Sequence, residues 1–266
     1  MFQSNSYFKK IKENTTFWGH IDVLRVMIIR VILIWLILAV VYFLFMNWIF
    51  DHIIIGPCHN NFIFYKWIDL VGAVFSSGST SAIDMPEIHL INYNLTTPFL
   101  LQINTSFNLA LMTALPYLFY ELWVFIKPAL YKKEKKGVRL AFFLGAGMFY
   151  LGVLVGYFLV FPMTLQFLAN YQLSDSIQNQ LSLSSYMDNF TGLIGAMGIT
   201  FEIPLLLWLL GLFGVVNKDM LKKYRRHAFL AVVILAAVIT PTGDPFTLTL
   251  VSLPLWLLYE LSIRLC

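Results

Sequence analysis

Apolar side chains dominate four stretches, residues 31–50, 105–126, 140–162 and 189–216. Each is long enough to cross a bilayer, which takes ~20 residues as a helix. The third stretch carries no charge, and the fourth carries only Glu202. Two shorter runs, 228–240 and 246–258, have 13 residues each, with residues 241–246 covering the turn between them. That spacing predicts a tight hairpin of two short spans. The whole pattern predicts an all-α integral membrane protein with six transmembrane helices, the last two short.

The polar positions set the connections. Inner loops are expected at 127–139 and 217–227, and outer loops at 51–97 and 163–188, within one membrane domain over 1–266. Residues 1–30 are polar and then amphipathic, and are expected to lie as a short helix on the inner surface before turning into the membrane. The first outer loop carries Pro57 and a flexible SSGSTS run at 76–81, and predicts a cap with some helix around 62–74. The second ends in SLSSYMD, whose Ser or Asp can cap the next helix.

Charge fixes the orientation. Five of the 18 Lys and Arg lie in 1–30, six in 127–139 and five in 217–227, and Arg264 follows the last span. All of these fall on one side in the six-helix reading, and only Lys66 falls on the other. Basic residues accumulate on the cytoplasmic side, so both termini are expected there. The net charge of +4 then reports topology. No basic stripe lies outside the short inner loops, which argues against a nucleic-acid surface. With 59% apolar and 12% charged side chains, a soluble domain is excluded. Cys58 and Cys266 fall on opposite faces and are expected to stay unpaired. The first apolar run lacks a small-residue cleavage site and is read as a retained helix.

Three carboxylates stand out. Glu202 lies 14 residues past Asp188 and 16 before Lys218, near the midplane. An ionised carboxylate there costs ~2.5–3.5 kcal/mol, so it is read as a polar notch for a partner helix or a proton. Glu121 precedes Trp123, Phe125, Pro128 and a burst of lysines, an order expected where a helix leaves the bilayer on its cytoplasmic side. Glu134 lies among those lysines, where it is either a solvated charge or part of the same acidic mouth. Among other readings, a secondary transporter or ion carrier using Glu202 as its proton or cation site remains the alternative. An enzyme is not expected: HExxH, paired membrane aspartates and Ser–Lys or Ser–His arrangements within spans are all missing. GxxxxGK[ST] is missing too, so ATP is not the energy source, and no cofactor or metal is expected.

Five blocks taken in order carry a family resemblance. They are HIDVLR (20–25), YELWVFIKPALYKKEKK (120–136), FYLGVLVGYFLVFP (149–162), SYMDNFTGLIGAMGITFEIP (185–204) and ITPTGDPFTL (239–248). Pro57 adds a proline early in the first outer loop. Together they resemble the TatC family, the multi-spanning subunit of the twin-arginine protein translocase. The resemblance implies a glove-shaped six-helix protein of the bacterial inner membrane that binds twin-arginine signal peptides at its inner face. It implies single-span partners of the TatA and TatB type, a homo-oligomer within a receptor complex, and export of folded proteins driven by the proton-motive force. The family's signal-binding carboxylates correspond to the N-terminal motif and Glu121, its intramembrane glutamate to Glu202, and its outer-hairpin aspartate to Asp244. Pro57, Pro128, Pro204 and Asp244 are read as structural or outer-loop positions; Gly-Asp-Pro is also ordinary turn chemistry.

One departure matters. The family motif H-L-x-E-L-R has its glutamate where this chain has Val23, and Asp22 stands one residue earlier. Neighbours on a helix point about 100° apart. Asp22, partly compensated by Glu121, is expected to supply the second acidic contact. Arg25 is expected to fix the helix against anionic lipid or Glu121. An arginine signal offers two guanidinium forks, and two charge-assisted bonds give about 3–6 kcal/mol. Over most of that range binding is millimolar or weaker, so the apolar part of the signal has to insert as well.

Overall fold

The computed structural model describes residues 17–59, 62–66, 90–131, 135–171, 180–240 and 244–265. Among these residues six long helices make the bundle: α1 (Phe17–Leu44), α2 (Thr97–Ile126), α3 (Lys135–Asn170), α4 (Leu183–Leu212), α5 (Arg225–Ile239) and α6 (Pro245–Leu265). All but α5 are long and apolar enough to cross a membrane. α5 has 15 residues, about 22 Å of helix, against a core of about 30 Å. Its shortness matches the sequence pattern.

α6 does not. The run expected to end at residue 258 continues to Leu265, making a helix of 21 residues. Charge does not stop it, because Glu260 pairs with Arg225 at the foot of α5. Tyr259 and Ile263 are buried with Leu221 of the inner connection, and the Tyr259 hydroxyl donates to the Leu221 carbonyl at 2.9 Å. The N-terminal expectation also changes. From residue 17 onward, α1 is one continuous helix of 28 residues, with no turn between a surface segment and a span. Residues 20–55 contain neither Pro nor Gly, so nothing interrupts the backbone ladder.

α4 sits at the centre: 50% of its apolar window is buried, against 11% for α1. α1 packs along α2, α2 against α3 and α4, and the second half of α4 against α3 and α6. The α3–α4 seam is built on glycine. A Cβ on Gly152 would lie 2.6 Å from the Met197 carbonyl oxygen, and one on Gly198 would lie 2.7 Å from the Phe149 ring. Gly152 and Gly156 form the GxxxG that close helix packing requires.

Prolines bend the two central helices. In α3 the turn Gly156–Val160 widens to π geometry just before Pro162, and the Phe161 N–H reaches back to the Gly156 carbonyl. The wider turn absorbs the missing Pro162 donor. In α4 the ladder tightens at Phe201 and Glu202, two residues ahead of Pro204, before resuming at Ile203.

The ends expected to face outward are tied together. β1 (Leu90–Ile91) pairs in parallel with β2 (Leu181–Ser182), joining the two outer connections. Tyr157 and Tyr186 donate to the carbonyls of Ile53 and Ile54 at 2.8 and 2.5 Å. Tyr65, in a short helical turn at residues 63–66, donates to the Pro57 carbonyl at 2.9 Å. The rest of the helix expected to residue 74 lies outside the described residues, as does Cys266. Cys58 is buried and free.

Candidate functional site

At the end of the bundle expected to face inward, here the inner rim, α1 and α2 meet through charge. Glu121 is only 6% exposed although it belongs to the last turns of α2. One turn earlier on the same helix, Tyr117 donates to its Oε1 at 2.5 Å. Arg30 of α1 brings Nη1 to 3.8 Å from the same oxygen. Arg30 is therefore the cation that answers Glu121, and it had counted only as one more inner-side charge. The signal that locates it is a residue count: Arg30 sits at the depth where α1 faces Glu121, ahead of the uninterrupted apolar run.

The other N-terminal candidates lie elsewhere on α1. Arg25 is exposed and five residues before Arg30, about 140° round the helix, so it does not share the face that meets Glu121. Asp22 is exposed and eight residues before Arg30, about 12 Å further along the axis. Val23, seven residues before Arg30, lies within about 20° of its face and is half-buried. Asp22 thus points away from the direction in which a carboxylate at position 23 would project. Glu134 lies outside the described residues. Pro128, exposed, sits in the tight turn Lys127–Ala129 that ends α2. Behind this rim Trp123 and Phe119 rest against Phe142 of α3, with ring centres 6.3 and 6.4 Å apart.

Glu202 occupies the break in α4 and is 8% exposed. Neither carboxyl oxygen has a hydrogen-bond partner among the described residues. Pro204, two residues on, is buried and leaves the local ladder incomplete. Gly145 of α3 makes room for the carboxyl: a Cβ there would lie 3.0 Å from Oε2. Ten residues separate Glu202 from the inner end of α4, about 15 Å, or half the hydrocarbon thickness. A buried polar group without a partner is costly and marks a site that something else completes.

The two structural candidates at the outer side have plain roles. Asp244 Oδ2 accepts from the Thr247 N–H at 2.7 Å, which makes Asp244 the N-cap of α6 with Pro245 in the first helical position. Pro57 is buried and holds Tyr65 through its carbonyl. Among the described residues, no three His, Cys, Asp or Glu side chains gather as a metal cluster would need.

A bent bundle of long apolar helices, with one carboxylate paired at the rim and another without a partner among the described residues at mid-depth, is that of a polytopic membrane protein. Comparison with known proteins gives the family. The family described as "Sec-independent protein translocase protein (TatC)" matches residues 19–254. The TatC protein of Blattabacterium sp. from Periplaneta americana is 35% identical over 256 residues, 96% of each chain. That of Deinococcus radiodurans is 39% identical over 180 residues, 67% of this chain and 66% of its own. A crystal structure described as the twin arginine translocase receptor TatC superposes with a TM-score of 0.72 at 30% identity. It covers 92% of this chain and 98% of its own. The chain belongs to the TatC family. It is a multi-pass protein of the bacterial cytoplasmic membrane with a role in protein translocation, which favours transport of proteins over the carrier alternative.

Proposed function

We propose that this chain receives twin-arginine signal peptides at its cytosolic rim and, with single-span TatA/TatB-type subunits, exports folded proteins using the proton-motive force. Both termini then face the cytosol, in line with the distribution of Lys and Arg. The observation that carries the reading is the rim itself: a buried carboxylate already adapted to hold a guanidinium, with a second, exposed carboxylate on the neighbouring helix.

Consecutive residues of an extended signal are about 3.5 Å apart and direct their side chains to opposite sides. Two adjacent arginines therefore suit two separated carboxylates better than a single one. Asp22 is free in solvent and takes the first; Glu134 belongs to the same mouth by sequence. Glu121 accepts the second only by exchanging Arg30, whose 3.8 Å contact is looser than the bidentate fork that an incoming arginine can form. Arg30 is 45% exposed, so it has room to swing into water. Glu202 acts later, as the polar notch that receives a partner helix in the bilayer.

The test is photo-crosslinking from reactive side chains at Val26 and Lys127 to a signal peptide carrying Arg-Arg or Lys-Lys. Arg-Arg is expected to be captured in preference. Equal capture of the two peptides would overturn the receptor reading.

A further inference from the structure

At the end of the bundle opposite the Arg30–Glu121 pair, a cavity of about 400 Å³ opens between the chain that follows α1 and the starts of α2 and α4. Its volume is that of a small-ligand site, roughly 300–1,000 Å³. α1 gives way at Phe45, whose φ of −96° and ψ of 10° leave the helical region. A short helix, Met46–Ile49, and a wide turn, Phe50–Ile54, follow, and the cavity lies beside that step. Phe50 and Leu101 are among its apolar walls, and its polar groups are Asn47, Asp51, Gln102 and Thr105. Thr105 is 2% exposed, yet its hydroxyl has no partner among the described residues. A helical threonine ordinarily bonds back to a carbonyl one turn earlier, as Thr113 and Thr191 do here. Gln102 Nε2 donates to the Phe43 carbonyl at 3.1 Å, which leaves its Oε1 to accept. Asp51 is exposed and makes no ion pair among the described residues.

Depth decides what fits. Asp51 follows Arg30 by 21 residues, about 32 Å of helix, and Thr105 precedes Glu121 by 16, about 24 Å. Against a core of about 30 Å, the cavity straddles the boundary of headgroups and hydrocarbon, with the carboxylate at the wet end. We propose that it holds the headgroup of an aminophospholipid, whose phosphate carries a primary ammonium. The ammonium has three donors, of which Asp51 and Gln102 Oε1 accept two and water the third. Asn47 Nδ2 and the Thr105 hydroxyl donate to the phosphate and ester oxygens, which gives Thr105 the partner that the chain withholds. The acyl chains leave along the exposed apolar surface at Leu44 and Leu100. A choline headgroup carries no N–H for Asp51, and a glycerol headgroup brings a net negative charge towards it. A divalent cation would need more carboxylate oxygens than one side chain supplies, and no metal cluster exists among the described residues.

Native mass spectrometry of the full chain, released from detergent micelles with dioleoyl lipids added one at a time, tests it. Dioleoylphosphatidylethanolamine is expected to be retained about tenfold more than the choline or glycerol lipid with the same chains, the worth of one charge-assisted bond. Asp51→Asn should bring it down to the choline level, and Thr105→Val, of the same shape, should lower it about threefold. Asp188→Asn, exposed on α4, should leave it unchanged. Without lipid, the native and Asp51→Asn chains should melt alike; with the ethanolamine lipid only the native chain should gain, which separates a lost site from a lost fold. Glycerophosphoethanolamine, the same headgroup without chains, should not displace the lipid at equal concentration. Equal retention of the three lipids would overturn the proposal, as would displacement by the soluble headgroup. Retention indifferent to Asp51→Asn, or lowered as much by Asp188→Asn, would also end it.

Discussion

Replacing Arg30 with Gln leaves Glu121, 7% exposed in its side chain, with Tyr117 as its remaining polar partner among the described residues. Two unit charges 3.8 Å apart interact by about 4 kcal/mol at an effective dielectric of 20. Arg30 is 45% exposed, so water screens much of that, and about 1–2 kcal/mol of coupling remains. Arg30→Gln should then cost about 2 kcal/mol, because it strands a buried carboxylate. Glu121→Gln should cost only about 1, since Arg30 turns to solvent and the new amide keeps a bond to Tyr117. The double variant should be less destabilised than the sum of the two, by that same coupling. Denaturant unfolding of the purified protein in mixed micelles reads all three differences. Single effects that add to within about 0.3 kcal/mol would refute the pairing, since neighbours in true contact do not behave independently.

Asp244→Ala should destabilise the protein by about 1 kcal/mol and Asp244→Asn hardly at all, because Asn caps as well as Asp; a thermal melt of each variant decides. Gly152→Ala forces a methyl to within 2.6 Å of the Met197 carbonyl oxygen and should part α3 from α4, whereas Gly147→Ala meets nothing within 4 Å. Unfolding midpoints that fall equally for both would count against the seam. Burial pushes the Cys58 thiol above its ordinary pKa, so thiolate is scarce at neutral pH and maleimide labelling should be slow until the protein is unfolded. Rapid labelling of the folded protein at pH 7 would contradict that burial. Glu202→Leu should leave the fold intact and abolish cargo export, with Glu202→Gln retaining part of it; export at full rate by the Leu variant would remove Glu202 from function.

Much of the fold was legible because a bilayer enforces simple rules. Apolar run length located the spans, and the 13-residue run at 228–240 correctly announced a short α5. The misreadings share a cause. The last apolar run was read as ending at residue 258, yet Glu260 just beyond it pairs with Arg225 across α5 and α6, and α6 continues. Likewise Arg30 looked like a topological charge, since a single sequence does not say that α1 and α2 align Arg30 with Glu121. Ion pairs between distant segments conceal themselves in any reading based on local polarity. Asp244 stood open between ordinary turn chemistry and the outer-hairpin aspartate that the resemblance implies, and the bond it accepts from the Thr247 N–H gives it a third task that neither reading named, capping α6.

Glu121 and Glu202 are both buried carboxylates in membrane helices, and the protein treats them in opposite ways. Glu121 has a tyrosine hydroxyl and a guanidinium; Glu202 has neither among the described residues, in a helix whose ladder breaks just before Pro204. Pairing at the rim costs the fold little, because Arg30 reaches water and brings Glu121 its counter-charge without full desolvation. At mid-depth no such route exists, and an internal cation for Glu202 would itself have to be buried. Leaving Glu202 unpartnered therefore keeps an unmet hydrogen-bonding demand in the bundle's centre, one that an incoming polar helix can satisfy and lipid cannot. The division follows from depth: the rim carboxylate meets a cation that can turn to water, while the central one can be completed by a proton or a polar group brought to it.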